Sequence, residues 1–183
     1  MEQPSLVYEI ELKALLSEEK YKQLCSELPS KMRLFNEETI YTTRYRPGDL
    51  RLRHSDKRLE IICKDGDPTK ISRKEVKIPL YSQEQLDYLA PMFRLLGFNP
   101  DPSWTKHKRE FEYDFKGFTY VVCLQNIEKF AYIMEVEFLS EKDDSAIHEP
   151  NLRAIIQELG CEPIEPADFS RRIKEYIDAN RHS

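Results

Sequence analysis

Charged and apolar residues alternate with period two in several stretches of this 183-residue chain, and no other feature limits its fold so strongly. Successive side chains of a strand point to opposite faces, so each such stretch reads as a strand with one ionic and one apolar face. Glu9, Glu11 and Lys13 share a face opposite Tyr8, Ile10 and Leu12. Arg51 and Arg53 share another, as do Arg73, Glu75 and Lys77, then Lys106 and Lys108. Glu135 and Glu137 stand opposite Met134, Val136 and Phe138. Taken singly, each ionic face reads most simply as one turned to bulk water. Chance alone gives about one acid-x-acid-x-base triplet in a chain of this composition, so Glu9-x-Glu11-x-Lys13 by itself proves nothing.

Helical spacing is confined to four segments. Tyr21, Leu24, Cys25 and Leu28 form an apolar stripe over 17–28 that Pro29 stops. Ser82 and Gln85 predict a capping box for a helix over 82–96, with Leu86, Leu89, Ala90 and Phe93 buried and Gly97 at its end. Leu152, Ile155, Ile156 and Leu159 mark a helix over 150–159, and Phe169, Ile173, Tyr176 and Ile177 one over 168–179. Strands fill 6–13, much of 31–80, and 104–115, 118–125 and 131–139. Pro47-Gly48-Asp49 and Asp65-Gly66-Asp67-Pro68 are the clearest turns. The order predicts an α+β fold with a mostly antiparallel sheet, as one domain over 1–183.

The helices need the apolar strand faces as packing surface. A sheet curled with that side outward turns its ionic side inward. About eight strands then close around a lumen wide enough for side chains or a small ligand. Acids enclosed there need partners, since an unpaired buried carboxylate costs several kcal/mol or shifts its pKa. A hard divalent cation would satisfy Glu9, Glu11, Glu135 and Glu137 with oxygen ligands. The Lys and Arg pool would bind a polyanion bridged to that cation, and a triphosphate, with roughly four negative charges, fits.

Composition narrows the partners. With 28 Lys and Arg against 33 Asp and Glu, the net charge of −5 argues against nucleic-acid binding driven by bulk charge. No apolar run approaches the roughly 18 residues of a membrane span. The four cysteines show neither zinc-ligand nor CxxC spacing, so free thiols and a cytoplasmic location are expected. Met1-Glu2-Gln3-Pro4 does not resemble a signal peptide.

In order along the chain, the charged motifs resemble those of the CYTH family, the triphosphate tunnel metalloenzymes. Glu9-Ile10-Glu11-Leu12-Lys13 is similar to its ExExK signature, and Leu50-Arg51-Leu52-Arg53 to its LRxR strand. Leu59 to Lys64 resembles the strand that ends in a lysine, and Arg73-Lys74-Glu75 the R-x-E element. Lys106-His107-Lys108-Arg109 is similar to the basic strand, and Glu135-Val136-Glu137 to the late E-I-E pair. The resemblance implies a closed eight-stranded antiparallel β-barrel, a tunnel with helices packed on the outside, that binds a triphosphate with Mg2+ or Mn2+. It implies metal ligation by Glu9, Glu11, Glu135, Glu137 and Gln125. It implies phosphate binding by Lys13, Arg51, Arg53, Lys64, Arg73, Lys106 and Lys108, with Glu9, Glu11 and Lys13 as catalytic residues. Family activities include thiamine triphosphatase, inorganic tripolyphosphatase, RNA or nucleoside triphosphatase and class IV adenylyl cyclase. Triphosphate hydrolysis is the first expectation. A cyclase making cyclic AMP from ATP and a non-catalytic nucleotide- or polyphosphate-binding module are the alternatives. A homodimer would be unsurprising.

Three departures stand out. Gln125 replaces an aspartate common in the family, and Lys129 and Ala131 replace loop glycines, which predicts a stiffer loop. Glu165-Pro166-Ala167-Asp168-Phe169 lacks the arginine and serine of the family's E-P-R-S-Y stretch, for which Arg171 or Arg172 could substitute. Lys74 and Arg109 fall on the outer face. Glu75 and Lys77 are as well placed to pair within the wall as to meet a ligand. His54, His107 and His148 read as non-catalytic, and Trp104 as packing.

Overall fold

Eight strands of the computed structural model, which describes residues 3–180, pair antiparallel into a ring. The strands are β1 (Ser5–Leu16), β2 (Arg33–Arg46), β3 (Leu50–His54), β4 (Leu59–Asp65), β5 (Ser72–Leu80), β6 (Asn99–Pro100), β7 (Trp104–Phe115), β8 (Phe118–Ile127) and β9 (Ala131–Ser140). The helices are α1 (Glu18–Glu27), α2 (Gln83–Leu95), α3 (Ser145–Glu158) and α4 (Pro166–Ala179). The sheet runs β3-β4-β5-β1-β9-β8-β7-β2, and β2 pairs back onto β3, with Thr42 opposite Arg53 and Arg44 opposite Arg51. The two-residue β6 adds only a short edge to β2.

Register brings the ionic positions together. Antiparallel partners directly opposite share a face. Glu11 stands opposite Glu137 and Lys13 opposite Glu135, Glu9 opposite Arg73, and Lys64 opposite Glu75. The alternating residues Ile10, Leu12, Val122, Leu124, Met134 and Val136 face outward into the main core, where Leu24, Leu28, Leu152, Ile155 and Ile156 cover them. A smaller outer core joins α2, through Phe93, to Tyr45 and Leu52. The apolar side is therefore outside, beneath α1, α2 and α3.

Helix boundaries follow local chemistry where it exists. Ser17 caps α1 by accepting from the Lys20 N–H at 3.1 Å, and Ser82 and Gln85 form the expected box at α2. Two helices start earlier than expected. α3 begins at Ser145 rather than 150, with Pro150 inside it. Its first turns are anchored by tertiary contacts: His148 Nδ1 and Asn151 Nδ2 both meet the Tyr120 hydroxyl, at 2.9 and 2.8 Å, and His148 stacks on Phe138 at 3.7 Å. α4 begins at Pro166, which sits at the first helical position, where its missing N–H costs nothing. In the β8–β9 loop Lys129 keeps a left-handed φ of 60°, a conformation that suits glycine and strains a side-chain residue by about 1–2 kcal/mol.

Candidate functional site

The ring encloses a cavity of about 570 Å3. Thirteen Lys and Arg side chains and nine Asp and Glu line it. A chain with net charge −5 therefore carries a lumen with an excess of four positive charges. Every residue expected to bind metal or phosphate lies on that lining: Glu9, Glu11, Lys13, Arg51, Arg53, Lys64, Arg73, Lys106, Lys108, Gln125, Glu135 and Glu137. Lys74 and Arg109 are on the outer face, where Lys74 lies over Tyr8 and Arg109 donates to the Cys25 carbonyl at 2.9 Å.

Four of the acids, Glu9, Glu11, Glu135 and Glu137, lie on the adjacent strands β1 and β9. Carboxylate oxygens of Glu9, Glu11 and Glu137 lie within 4.8 Å of one another. Glu135 is drawn slightly aside, 2.9 Å from Lys13 Nζ and 2.9 Å from the Gln125 amide, which donates to it. Three clustered carboxylates are a hard oxygen donor set of the kind Mg2+ and Mn2+ take, so the residues fit a divalent cation. Their electrostatics show what that cation would relieve. Burial, opposed by Lys108 and reinforced by Glu135 and Glu11, pushes the Glu137 carboxyl up to about 7. Glu11 is raised as well, by burial, with Lys13 opposing and Glu135 adding to the rise. Burial alone would raise Glu135 too, but Lys13, Lys108, Lys106 and Lys64 outweigh it and hold the group well below the carboxylate range.

The cations divide into paired and unpaired groups. Lys13 bridges Glu11 at 2.7 Å and Glu135 at 2.9 Å. Lys64 is bound to Glu9, with Glu75 at 3.6 Å and Glu11 at 3.7 Å. Lys77 lies 3.6 Å from Glu75, so these two do pair within the wall. Lys108 is held by Glu110 at 2.6 Å. Lys106 is 9% exposed, and its amine has no hydrogen bond or ion pair with the described residues. Burial, with Arg53 and Lys108 nearby, lowers its amine to about 7. Beside it, Arg53 reaches only the fully buried Glu60, at 3.5 Å. Arg53 Nε and Thr42 Oγ1 have no hydrogen-bond partner among the described residues. Both Glu60 carboxylate oxygens are likewise without a hydrogen bond among the described residues, and an anion in the lumen would satisfy the Arg53 and Thr42 donors.

Several lining residues lay outside the sequence expectation. Arg44, Asp49, Arg58, Glu110 and Thr42 all face the cavity. Inward parity on β2 and β7 was the available signal for Thr42, Arg44 and Glu110. Asp49 belongs to a turn, where parity says nothing. Glu110, Cys123 and Glu137 also lie within 4.8 Å of one another, and burial keeps the Cys123 thiol well above its ordinary pKa. Trp104, expected only to pack, lines the cavity.

One expectation about the helices is corrected. α4 is not wholly external, because Phe169, Ile173 and Ile177 join Ile164, Ile127 and Ile133 in lining the cavity. The Ile164 N–H donates to the Lys13 carbonyl at 2.8 Å, and Lys13 Nζ lies 5.3 Å from the Phe169 ring centre. These contacts draw the amphipathic helix against the lumen. Arg171 and Arg172 are exposed and off the lining, and Arg171 pairs with Asp168 at 2.8 Å. The nearby cation on the lining is Lys174.

No sequence-family profile matches the chain, and no curated protein sequence does. Solved structures match closely in shape. A protein from Pyrococcus horikoshii aligns over 84% of this chain and 91% of its own, at 20% identity and a TM-score of 0.66. A candidate adenylate cyclase from Vibrio parahaemolyticus aligns over 85% and 90%, at 16% identity and 0.64. A candidate adenylyl cyclase from Hippeastrum, described as having a dominant triphosphatase activity, aligns over 87% and 90%, at 14% identity and 0.59. At such identities the likeness lies in the fold. The chain therefore carries the fold that these proteins share.

Proposed function

We propose that this protein hydrolyses a triphosphate-containing substrate inside the ring with the help of a divalent cation. The observation that carries the reading is one cavity that holds both three clustered carboxylates and an overall positive excess, in which Arg53 Nε has no hydrogen-bond partner among the described residues. The Hippeastrum protein's triphosphatase activity supports the same reaction class on the same fold.

Glu9, Glu11 and Glu137 would hold Mg2+ or Mn2+, with Glu135 and Gln125 orienting the site from beside it. The bound cation would supply charge neutralisation at the phosphate oxygens. Lys13 and Lys64, now tied to glutamates, would turn to the phosphate chain once those glutamates have a cation. Arg53, Lys106 and Lys108 would grip it from the opposite wall. Phosphoryl transfer depends mostly on positioning and on stabilising equatorial charge, which is what this arrangement offers. Water attacks the terminal phosphorus and the P–O bond to the next phosphate breaks; the diphosphate end of the substrate leaves with the electron pair, the attacked phosphorus departs as orthophosphate, and the proton lost by the water passes to solvent.

A second reading, binding without turnover, is favoured by Gln125. Its amide donates to Glu135 where the family often has a carboxylate, so the metal wall has one negative charge fewer. A panel of ATP, thiamine triphosphate and tripolyphosphate with Mg2+ and Mn2+ separates the cases. Release of orthophosphate is expected. Cyclic AMP from ATP would replace hydrolysis by cyclisation, and tight binding with no product would favour the second reading. Glu9→Gln and Glu135→Gln are each expected to lose over tenfold in turnover, on the order of a charge contact at the reacting phosphate. Unchanged rates would remove the metal wall from the mechanism.

A further inference from the structure

Two of the arginines placed to bind phosphate are already holding an anion. Asp49, in the β2–β3 turn, is 8% exposed. Its carboxylate accepts from Arg51 in a two-pronged contact, Nε to Oδ1 at 2.7 Å and Nη2 to Oδ2 at 2.8 Å. Arg73 Nη1 donates to Oδ2 at 3.0 Å, and Arg44 Nε lies 3.4 Å from Oδ1. A planar carboxylate across a guanidinium fork reproduces the contact that the fork makes with phosphate.

Resting on the polyphosphate reading above, we propose that Asp49 occupies the place of one phosphate group and so limits how many phosphates of a substrate the cavity can grip.

The turn fixes Asp49 in place. Its carbonyl accepts from the Lys64 N–H at 3.0 Å, and the Gly48 carbonyl accepts from Arg44 Nη2 at 3.1 Å. A phosphate arriving at these arginines meets two obstacles. Sharing the site puts two anions side by side. Expelling Asp49 breaks its contacts with three arginines and moves a buried side chain whose backbone is pinned to Lys64, which is unfavourable. On the wall of Lys106 and Arg53 the internal competition is weaker: Glu60 makes one contact with Arg53, at 3.5 Å, in place of a two-pronged one, and the Lys106 amine has no ion pair with the described residues. The preferred ligand is therefore a polyphosphate with two phosphates held firmly there and at the cation, and any third held weakly.

Calorimetric titration with pyrophosphate and tripolyphosphate, both with Ca2+ in place of Mg2+ to hold hydrolysis off, tests this through binding alone. The unaltered protein is expected to bind the two within about threefold of each other. Asp49→Asn keeps the shape and removes the charge. It is expected to tighten tripolyphosphate at least tenfold and change pyrophosphate less than threefold. Tripolyphosphate binding the unaltered protein over tenfold tighter than pyrophosphate would overturn the inference. So would weakened binding of both by a folded Asp49→Asn, which would make Asp49 an organiser of the arginines. If Asp49→Asn does not fold, the comparison on the unaltered protein decides alone. Failure of either anion to bind any form overturns the polyphosphate reading, and this inference with it.

Discussion

Lys106 is the residue whose chemistry is most exposed to test. An amine lowered to about 7 is half neutral at pH 7, and its neighbours Arg53 and Lys108 are the reason after burial itself. A polyanion favours the ammonium form and raises that pKa. Binding must then draw in a proton above pH 7, and affinity must fall as pH rises further. Titration of tripolyphosphate and Mg2+ at pH 8, in buffers of different ionisation enthalpy, is expected to show about one proton taken up. Lys106→Met is expected to abolish the uptake, and its persistence in that variant would assign the proton elsewhere. Most of this wall was legible residue by residue, because alternation along β7 placed Lys106 and Lys108 on one face and Arg109 on the other. Asp49 was not, since a turn has no periodicity and its partner Arg73 lies on a distant strand.

At the level of elements, two-faced strands explain why core and site respond separately to mutation. Leu152 of α3 is fully buried among outward residues of the sheet, with the ring wall between it and the cavity. Leu152→Ala should cost about 2–5 kcal/mol in denaturant unfolding. Below its melting temperature it should leave tripolyphosphate affinity within about twofold, because the lumen is untouched. A parallel loss of affinity would mean that the helix layer tunes the site. The strands and the capped starts of α1 and α2 could be read locally. The early start of α3 could not, because its first turns depend on Tyr120 and Phe138, which lie on other elements. Nor could the position of α4 against the lumen, which its backbone link to Lys13 fixes.

For the whole molecule, ring closure makes the charge separation consequential. Flat, the same sheet would leave its ions in water, where exposed pairs contribute about 0–1 kcal/mol each. Closed, it enforces a positive excess in a confined space, and an anion that relieves it stabilises the native state. Tripolyphosphate with Mg2+ at a hundred times its Kd should add about 2.7 kcal/mol. For a domain of this size that raises Tm by about 5–10 °C, and excess EDTA should reverse much of the gain. A shift below about 1 °C at saturating ligand would remove the anion site altogether. The sequence by itself determined the strands, their two faces and which charges travel together, because alternation is a property of extended backbone and needs no partner. Only the tertiary structure decided that β1 lies between β5 and β9, that β2 meets β7, that α4 comes to the lumen, and that Arg73 reaches Asp49. Those contacts join residues brought together by the curvature of the closed sheet, and no local pattern along the chain encodes it.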